Sequence, residues 1–280
     1  HTEVVSNPRL CILQLFGSDS GFVVSHAVLA SAAGHCDAAL IPEVEFSLLG
    51  LSRWLHTTMS GREVARERHV PYGMVVMSET AVPVDARYYL SEDEAPPTLD
   101  EKERAAMAAV RNHLRGKLNT QEQQALLWFD ALRRAKKRIQ GQTDDTLRTA
   151  GLKMVMYGLE KLLSERGQAD GVNFKNLRVL CNEPRHLVRA IPPSTSDIVI
   201  GQRLGTLAVD NAMAGYTDFM ISQWLTEYVL VPLKLVVLGR KRIHEQGIFW
   251  QSVKGKTGQE DNLVDPWPRN WRNSTGPAQS

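Results

Sequence analysis

No stretch of this sequence approaches the roughly 18 uninterrupted apolar residues of a membrane-spanning helix. A membrane role through such a helix is therefore not expected. Cysteine is scarce and odd in number. Cys11, Cys36 and Cys181 stand far apart, two of them inside apolar runs, which argues against a disulfide framework and for reduced, buried thiols of a cytosolic protein. Net charge is also nearly absent. With 33 Lys and Arg against 31 Asp and Glu, the formal charge of +2 neither argues for a nucleic-acid partner nor excludes one. The amino-terminal "HTEVVSN" lacks the charged-then-apolar pattern of a signal peptide. The most telling absence is local: no Lys or Arg lies between Leu15 and Phe46, in "LFGSDSGFVVSHAVLASAAGHCDAALIPEVEF". That stretch contains a glycine and serine turn between a strand and a helix, a place that ordinarily attracts an anion.

What is present is ordinary globular composition. Of 280 residues, 43% are apolar and 23% charged, enough for one large domain or two small ones. "LCILQLF" (10–16) is a continuous apolar run, as a strand covered on both faces gives. A helix is predicted over 20–34 with Gly34 as its C-cap, a strand over 37–42, a helix over 47–59 and a strand over 72–79. This alternation predicts a parallel sheet with crossover helices. The segment 92–170 breaks the rhythm with two helical stretches, 99–140 and 144–166. A strand over 176–182, a helix over 195–214 ending at Gly215 and the strand "DFMISQW" follow, then a polar, proline-containing tail. The chain is in a core strand within ten residues, which leads to the expectation that a remaining part lies upstream or on another chain.

Several places can carry chemistry. In "FGSDSG" (16–21) the backbone N–H groups at the helix start favour negative charge, although Gly17 and Gly21 equally suit a tight turn. Glu79 ends a strand, and ligands of open α/β sheets sit beyond the carboxyl ends of strands. A carboxylate there accepts hydrogen bonds from sugar hydroxyls. In "EPRHLVRAIPPSTSD" (183–197), His186 and Arg189 stand three apart, a pairing suited to a phosphate or polyol. Ser194 or Thr195 is expected to cap the following helix, with Asp197 in its first turn. The run "RRAKKR" (133–138) reads as the solvated face of a helix in preference to a nucleic-acid patch. His35 beside Cys36 has no partner at metal-ligand spacing, so no metal site is expected.

Taken together, these motifs resemble the 6-phosphofructokinase family. "RLCILQLFGSDSGFVVSHAVLASAAGHCDAALIPEVEF" is similar to the family's strand, Met-Gly-Arg turn and helix, followed by a strand ending in Pro-Glu. "YGMVVMSETA" is similar to the strand whose glutamate contacts the fructose ring, and "EPRHLVRAIPPSTSDIVIGQRLGTLAVDNAMAGYTDF" to the segment holding a substrate-binding histidine and an arginine three residues on. The closing "VPL…RKRI…FWQSVKGKTGQ" fits the long pyrophosphate-dependent and plant- or protist-type ATP-dependent branch. The resemblance implies an α/β fold, a three-layer Rossmann-like parallel sheet. A sugar-phosphate-binding region would span 1–259, with a helical insertion at 92–170 and a polar tail at 260–280.

It also implies roles. The Phe16 and Gly17 backbone would line the sugar-phosphate site, Glu79 would bind fructose hydroxyls, and His186 with Arg189 would bind fructose 6-phosphate. Arg9 would reach the substrate phosphate of a neighbouring subunit. Ser18 stands where the family keeps an arginine that neutralises the transferring phosphoryl group, a task a serine does not perform. The family's Gly-Gly phosphate loop and Thr-Ile/Val-Asp-Asn-Asp motif, with its base, are not found in these residues. The implied function is therefore the fructose 6-phosphate half of a phosphofructokinase of glycolysis, with no catalytic base in this chain. Mg2+ and ATP or pyrophosphate would be held mainly by the other half, in a cytoplasmic homo-oligomer or with a partner chain. The alternative is a non-catalytic sugar-phosphate-binding or regulatory relative.

Overall fold

The computed structural model describes residues 9–17, 20–65, 71–91, 99–135, 145–170, 174, 177–239, 241–261 and 263–264. In chain order its elements are β1 (Leu10–Leu15), α1 (Phe22–Ala30), β2 (Ala38–Leu40), α2 (Leu48–Ala65), β3 (Gly73–Ser78), α3 (Ala86–Leu90), α4 (Glu101–Lys117), α5 (Thr120–Arg134) and α6 (Asp145–Asp170). There follow β4 (Val179–Asn182), α7 (His186–Arg189), α8 (Thr195–Met213), β5 (Phe219–Trp224), β6 (Glu227–Pro232), α9 (Leu233–Val236) and α10 (Ile248–Thr257). They form two compact units, one of residues 1–184 with 243–280 and one of residues 185–242.

The first unit is the expected α/β sandwich. Its four strands run parallel in the order β2-β3-β1-β4. Alternate side chains of each strand enter two different cores, as the period of a strand requires. Leu10, Ile12, Leu40, Val75 and Met77 join α2, α4, α5 and α6 on one face. Leu15, Ala39, Ile41 and Val76 meet α1 and α10 on the other, around Val24, Val28 and the buried Trp250. This is a three-layer arrangement built from continuous apolar strands.

Helices α4, α5 and α6 form a layer tied to that core. Met107, Val110, Leu114, Leu126, Phe129, Leu159 and Leu163 are buried together with strand residues. Glu103 of α4 receives Arg53 Nε of α2 at 3.0 Å and Arg166 of α6 at 3.1 Å, locking three helices to one carboxylate. The single stretch expected over 99–140 is two helices. Asn119 interrupts it, because its side chain accepts from Glu122 N while Glu122 accepts from Asn119 N, both at 2.9 Å. That capping box starts α5 and stops α4 at Lys117.

Other boundaries also differ. α1 ends at Ala30, four residues before Gly34, because Ser31 is extended and its N–H and hydroxyl both turn back to Val28 O. Gly34 keeps a left-handed conformation (φ +73°) in the turn beyond. α2 continues to Ala65, where Arg62 grips the buried Asp37 with both guanidinium nitrogens at 2.9 and 2.5 Å. The polar segment expected as a tail begins by packing. Gln259 accepts from Ala39 N at 2.7 Å on the edge strand β2, and Leu263 and Val264 are buried. Residues 265–280 lie outside the described residues.

In the second unit, Ser194 caps α8 as expected. Its hydroxyl accepts from Asp197 N, and Asp197 accepts from Ser194 N. β5 pairs antiparallel with β6, which sequence reading did not foresee, from Phe219↔Pro232 to Trp224↔Glu227.

Candidate functional site

β1 and β3 are adjacent and in register, Leu15 opposite Ser78, so the segments that leave them emerge side by side. Phe16 and Gly17 follow the first strand, Glu79 and Thr80 the second. The Thr80 hydroxyl donates to Gly17 O at 3.4 Å. Two of the expected positions, the Phe16–Gly17 backbone and Glu79, thus meet at the carboxyl end of the sheet, where open α/β sheets bind ligands.

Both glycines of the turn have a steric reason. Gly17 has φ +149°, and a Cβ there would lie 2.5 Å from Ser20 O. A Cβ on Gly21 would lie 2.4 Å from the Ile41 side chain, so α1 can start this close to the end of β2 only without one. The turn is therefore tight for structural cause, whatever it binds.

Its anion is supplied from within. Gly21 N donates to both carboxylate oxygens of Glu43, at 3.0 and 2.9 Å, and Ile243 N donates to the same group at 3.3 Å. The partial positive charge at the start of α1 thus faces the glutamate of the Pro-Glu pair. This answers why a turn without a basic neighbour is stable: a carboxylate already sits on its backbone donor.

Glu79 meets α6. Its carboxylate lies 3.9 Å from Arg148 NH1, near the start of α6, and both side chains are largely buried. Arg148 NH2 also lies 3.1 Å from Asp145. Gln14, buried near the end of β1, donates from Nε2 to Arg148 O at 3.3 Å. A carboxylate, a guanidinium and the turn backbone therefore share one end of the sheet, a set able to take a polyol and an anionic group together.

The remaining expected residues fall elsewhere. Ser18 lies outside the described residues. Arg9 precedes β1, its carbonyl accepting from Gly73 N at 3.1 Å, and so stands at the opposite sheet end, roughly 20 Å of strand from the turn. His186 and Arg189 are on the single helical turn α7 of the second unit and are exposed there, with Arg185 just before them in an unusual backbone conformation (φ 38°). Among the described residues no group of three or more His, Cys, Asp or Glu is placed to hold a metal ion. Cys36 and Cys181 have their thiols pushed up to about 12, first by burial, so neither is a thiolate near neutrality.

The basic run is corrected in its first residue. Arg133 is not on a solvated face: its side chain is largely covered, donates to Val82 O at 2.7 Å and Pro83 O at 3.1 Å, and pairs with the fully buried Asp130 at 2.7 Å. Residues 136–138 lie outside the described residues. Sequence reading missed Glu43 and Arg148 as parts of this region. The Pro-Glu pair was a visible signal for Glu43, whereas nothing local marks Arg148, 69 positions beyond Glu79 in the chain.

No protein-family model matches the chain. Among curated proteins, the ATP-dependent 6-phosphofructokinase of Borreliella burgdorferi is 24% identical over 249 residues, covering 89% of this chain and 43% of that protein. That of Amycolatopsis methanolica is 27% identical over 259 residues, covering 92% and 44%. A stretch of 75 residues is 43% identical to the ATP-dependent 6-phosphofructokinase of Trypanoplasma borreli, covering 27% of this chain and 15% of that protein. Among solved structures, a pyrophosphate-dependent phosphofructokinase from Nitrosospira multiformis matches with 13% identity and a TM-score of 0.46, over 95% of this chain and 52% of its own, too low to bear on function. The chain spans less than half the length of the Borreliella burgdorferi and Amycolatopsis methanolica proteins. On these matches, the chain is similar, distantly and over part of their length, to ATP-dependent 6-phosphofructokinases.

Proposed function

We propose that this chain is the sugar-phosphate half of a 6-phosphofructokinase-type phosphotransferase, which moves a phosphoryl group to fructose 6-phosphate. The observation that carries the reading is the meeting of the Phe16–Gly17 turn with Glu79 at the carboxyl end of the sheet, in a chain related to that family. In this reading Glu79 accepts hydrogen bonds from fructose hydroxyls, and the turn backbone lines the sugar. His186 and Arg189 bind the 6-phosphate, imidazole and guanidinium both being donors suited to phosphate oxygens. Arg9, at the far sheet end, serves a neighbouring subunit's substrate. ATP or pyrophosphate, with Mg2+, is assigned to sequence matching the other half of the relatives, on the same protein or a partner chain of the oligomer. Among the described residues no group of three or more His, Cys, Asp or Glu is placed to hold that ion. The setting proposed is glycolysis in the cytoplasm. Among the described residues no helix is long and apolar enough to cross a membrane.

A second reading, a non-catalytic sugar-phosphate sensor or regulatory subunit, is favoured by Ser18 and by the Glu43 carboxylate on the α1 start. Titration calorimetry with fructose 6-phosphate tests what the readings share. Saturable binding is expected, weakened at least tenfold by combined His186→Ala and Arg189→Ala substitution. No detectable binding to the unsubstituted protein at millimolar ligand would overturn both. Turnover by the complete protein with either donor separates them, since only the first reading allows it.

A further inference from the structure

Arg148 makes a looser ion pair than Arg62 of the same unit. The structural pair Arg62–Asp37 is bidentate, at 2.9 and 2.5 Å, as a guanidinium that locks a carboxylate is expected to be. Arg148 instead lies 3.9 Å from Glu79, beyond hydrogen-bond length. Its other neighbour, Asp145, is 86% exposed, so that pair is screened by water. Its Nε is buried without a hydrogen-bond partner among the described residues, as is that of Arg133, whose other nitrogens are held by Val82 O, Pro83 O and Asp130. Burying a guanidinium with a donor unmet is costly and is readily explained where a ligand completes it.

The position fits such a ligand. Gln14 Nε2 holds the Arg148 carbonyl at the end of β1, and Glu79 stands beyond the adjacent β3 beside the Phe16–Gly17 turn. An anion brought to this sheet end would meet the Glu79 carboxylate, and the stretch from Leu15 to Phe46 offers no Lys or Arg to offset it. α6 brings a guanidinium to this end.

We propose that Arg148 is a further substrate-binding residue that takes a phosphate group beside Glu79, at the carboxyl end of the first unit's sheet. This rests on the sugar-phosphate reading above. Helix α6 then has a part in the site: it delivers the positive charge that the turn lacks at Ser18.

The test compares binding of fructose 1,6-bisphosphate and fructose 6-phosphate to the full chain and to Arg148→Met, Arg148→Gln and Arg148→Lys. In the Met and Gln variants the bisphosphate should bind at least tenfold more weakly, with fructose 6-phosphate changed less than threefold. Lys should recover most of the loss. Affinities within twofold of the parent for both ligands would overturn the proposal and leave the sugar-phosphate reading standing. So would an equal loss for both ligands together with a lowered unfolding temperature, since that marks a packing role. If the parent chain binds neither sugar phosphate, the reading of the site falls and this inference with it.

Discussion

At Gly17 a single missing Cβ decides how the chain leaves β1. Its φ of +149° is a conformation that L side chains rarely adopt, and the space a Cβ would need is taken by Ser20 O. Gly17→Ala is therefore expected to destabilise the protein by about 1–3 kcal/mol, which urea unfolding would measure. If fructose 6-phosphate binding is lost in that variant while the fold persists, the turn backbone lines the ligand. The glycines were legible in the sequence as turn formers, and Glu79 as a residue at a strand end. The partner of the turn was not. Glu43 reaches Gly21 N across 22 positions of chain, and Arg148 reaches Glu79 across 69. Local pattern carries no trace of such pairs, because they are made by the packing of separate elements.

Among the elements, α2 depends on a carboxylate that does not belong to it. Asp85 is fully buried, accepts from Leu48 N at 2.8 Å and Leu49 N at 3.3 Å, and receives the Tyr89 hydroxyl at 3.2 Å. Burial pushes its carboxyl up from the ordinary 3.8 to about 6, against the pull of these hydrogen bonds. Folded Asp85 thus holds its proton more tightly than the unfolded chain does. Its stabilising contribution is fully present below 3.8 and is lost as pH rises through about 6. Urea melts of the parent and Asp85→Asn between pH 7 and pH 4.5 should show the parent gaining stability relative to the variant on acidification. A constant difference across that range would show that Asp85 does not titrate there. The strands of the sheet were readable as apolar runs because both faces are buried. The break at Asn119 was readable only as the Asn-x-x-Glu pattern of a capping box, hidden inside a sequence of good helix formers.

In the whole molecule, two units of different character share the chain. β1 of the first has Leu10 and Ile12 fully buried, whereas α8 of the second has no buried side chain, with Ile198, Val199, Ile200, Val209 and Met213 exposed. Local opening follows burial, so amide hydrogen exchange should be faster in Thr195–Met213 than in Leu10–Leu15. Equal protection of the two segments would show that α8 is covered in solution.

Apolar runs, strand–helix alternation and the ordered motifs were enough, in the sequence alone, to read a parallel α/β layer and a resemblance to the 6-phosphofructokinases. Those features repeat over a few residues, and backbone geometry turns them directly into strands and turns. Tertiary structure alone decided which charges face the sheet end. It set Glu43 on the start of α1, placed Arg133 on the Val82 and Pro83 carbonyls and brought Arg148 to Glu79. Each of these pairs joins groups whose proximity exists only once helices and strands have packed, and the chemistry available at the site depends on them.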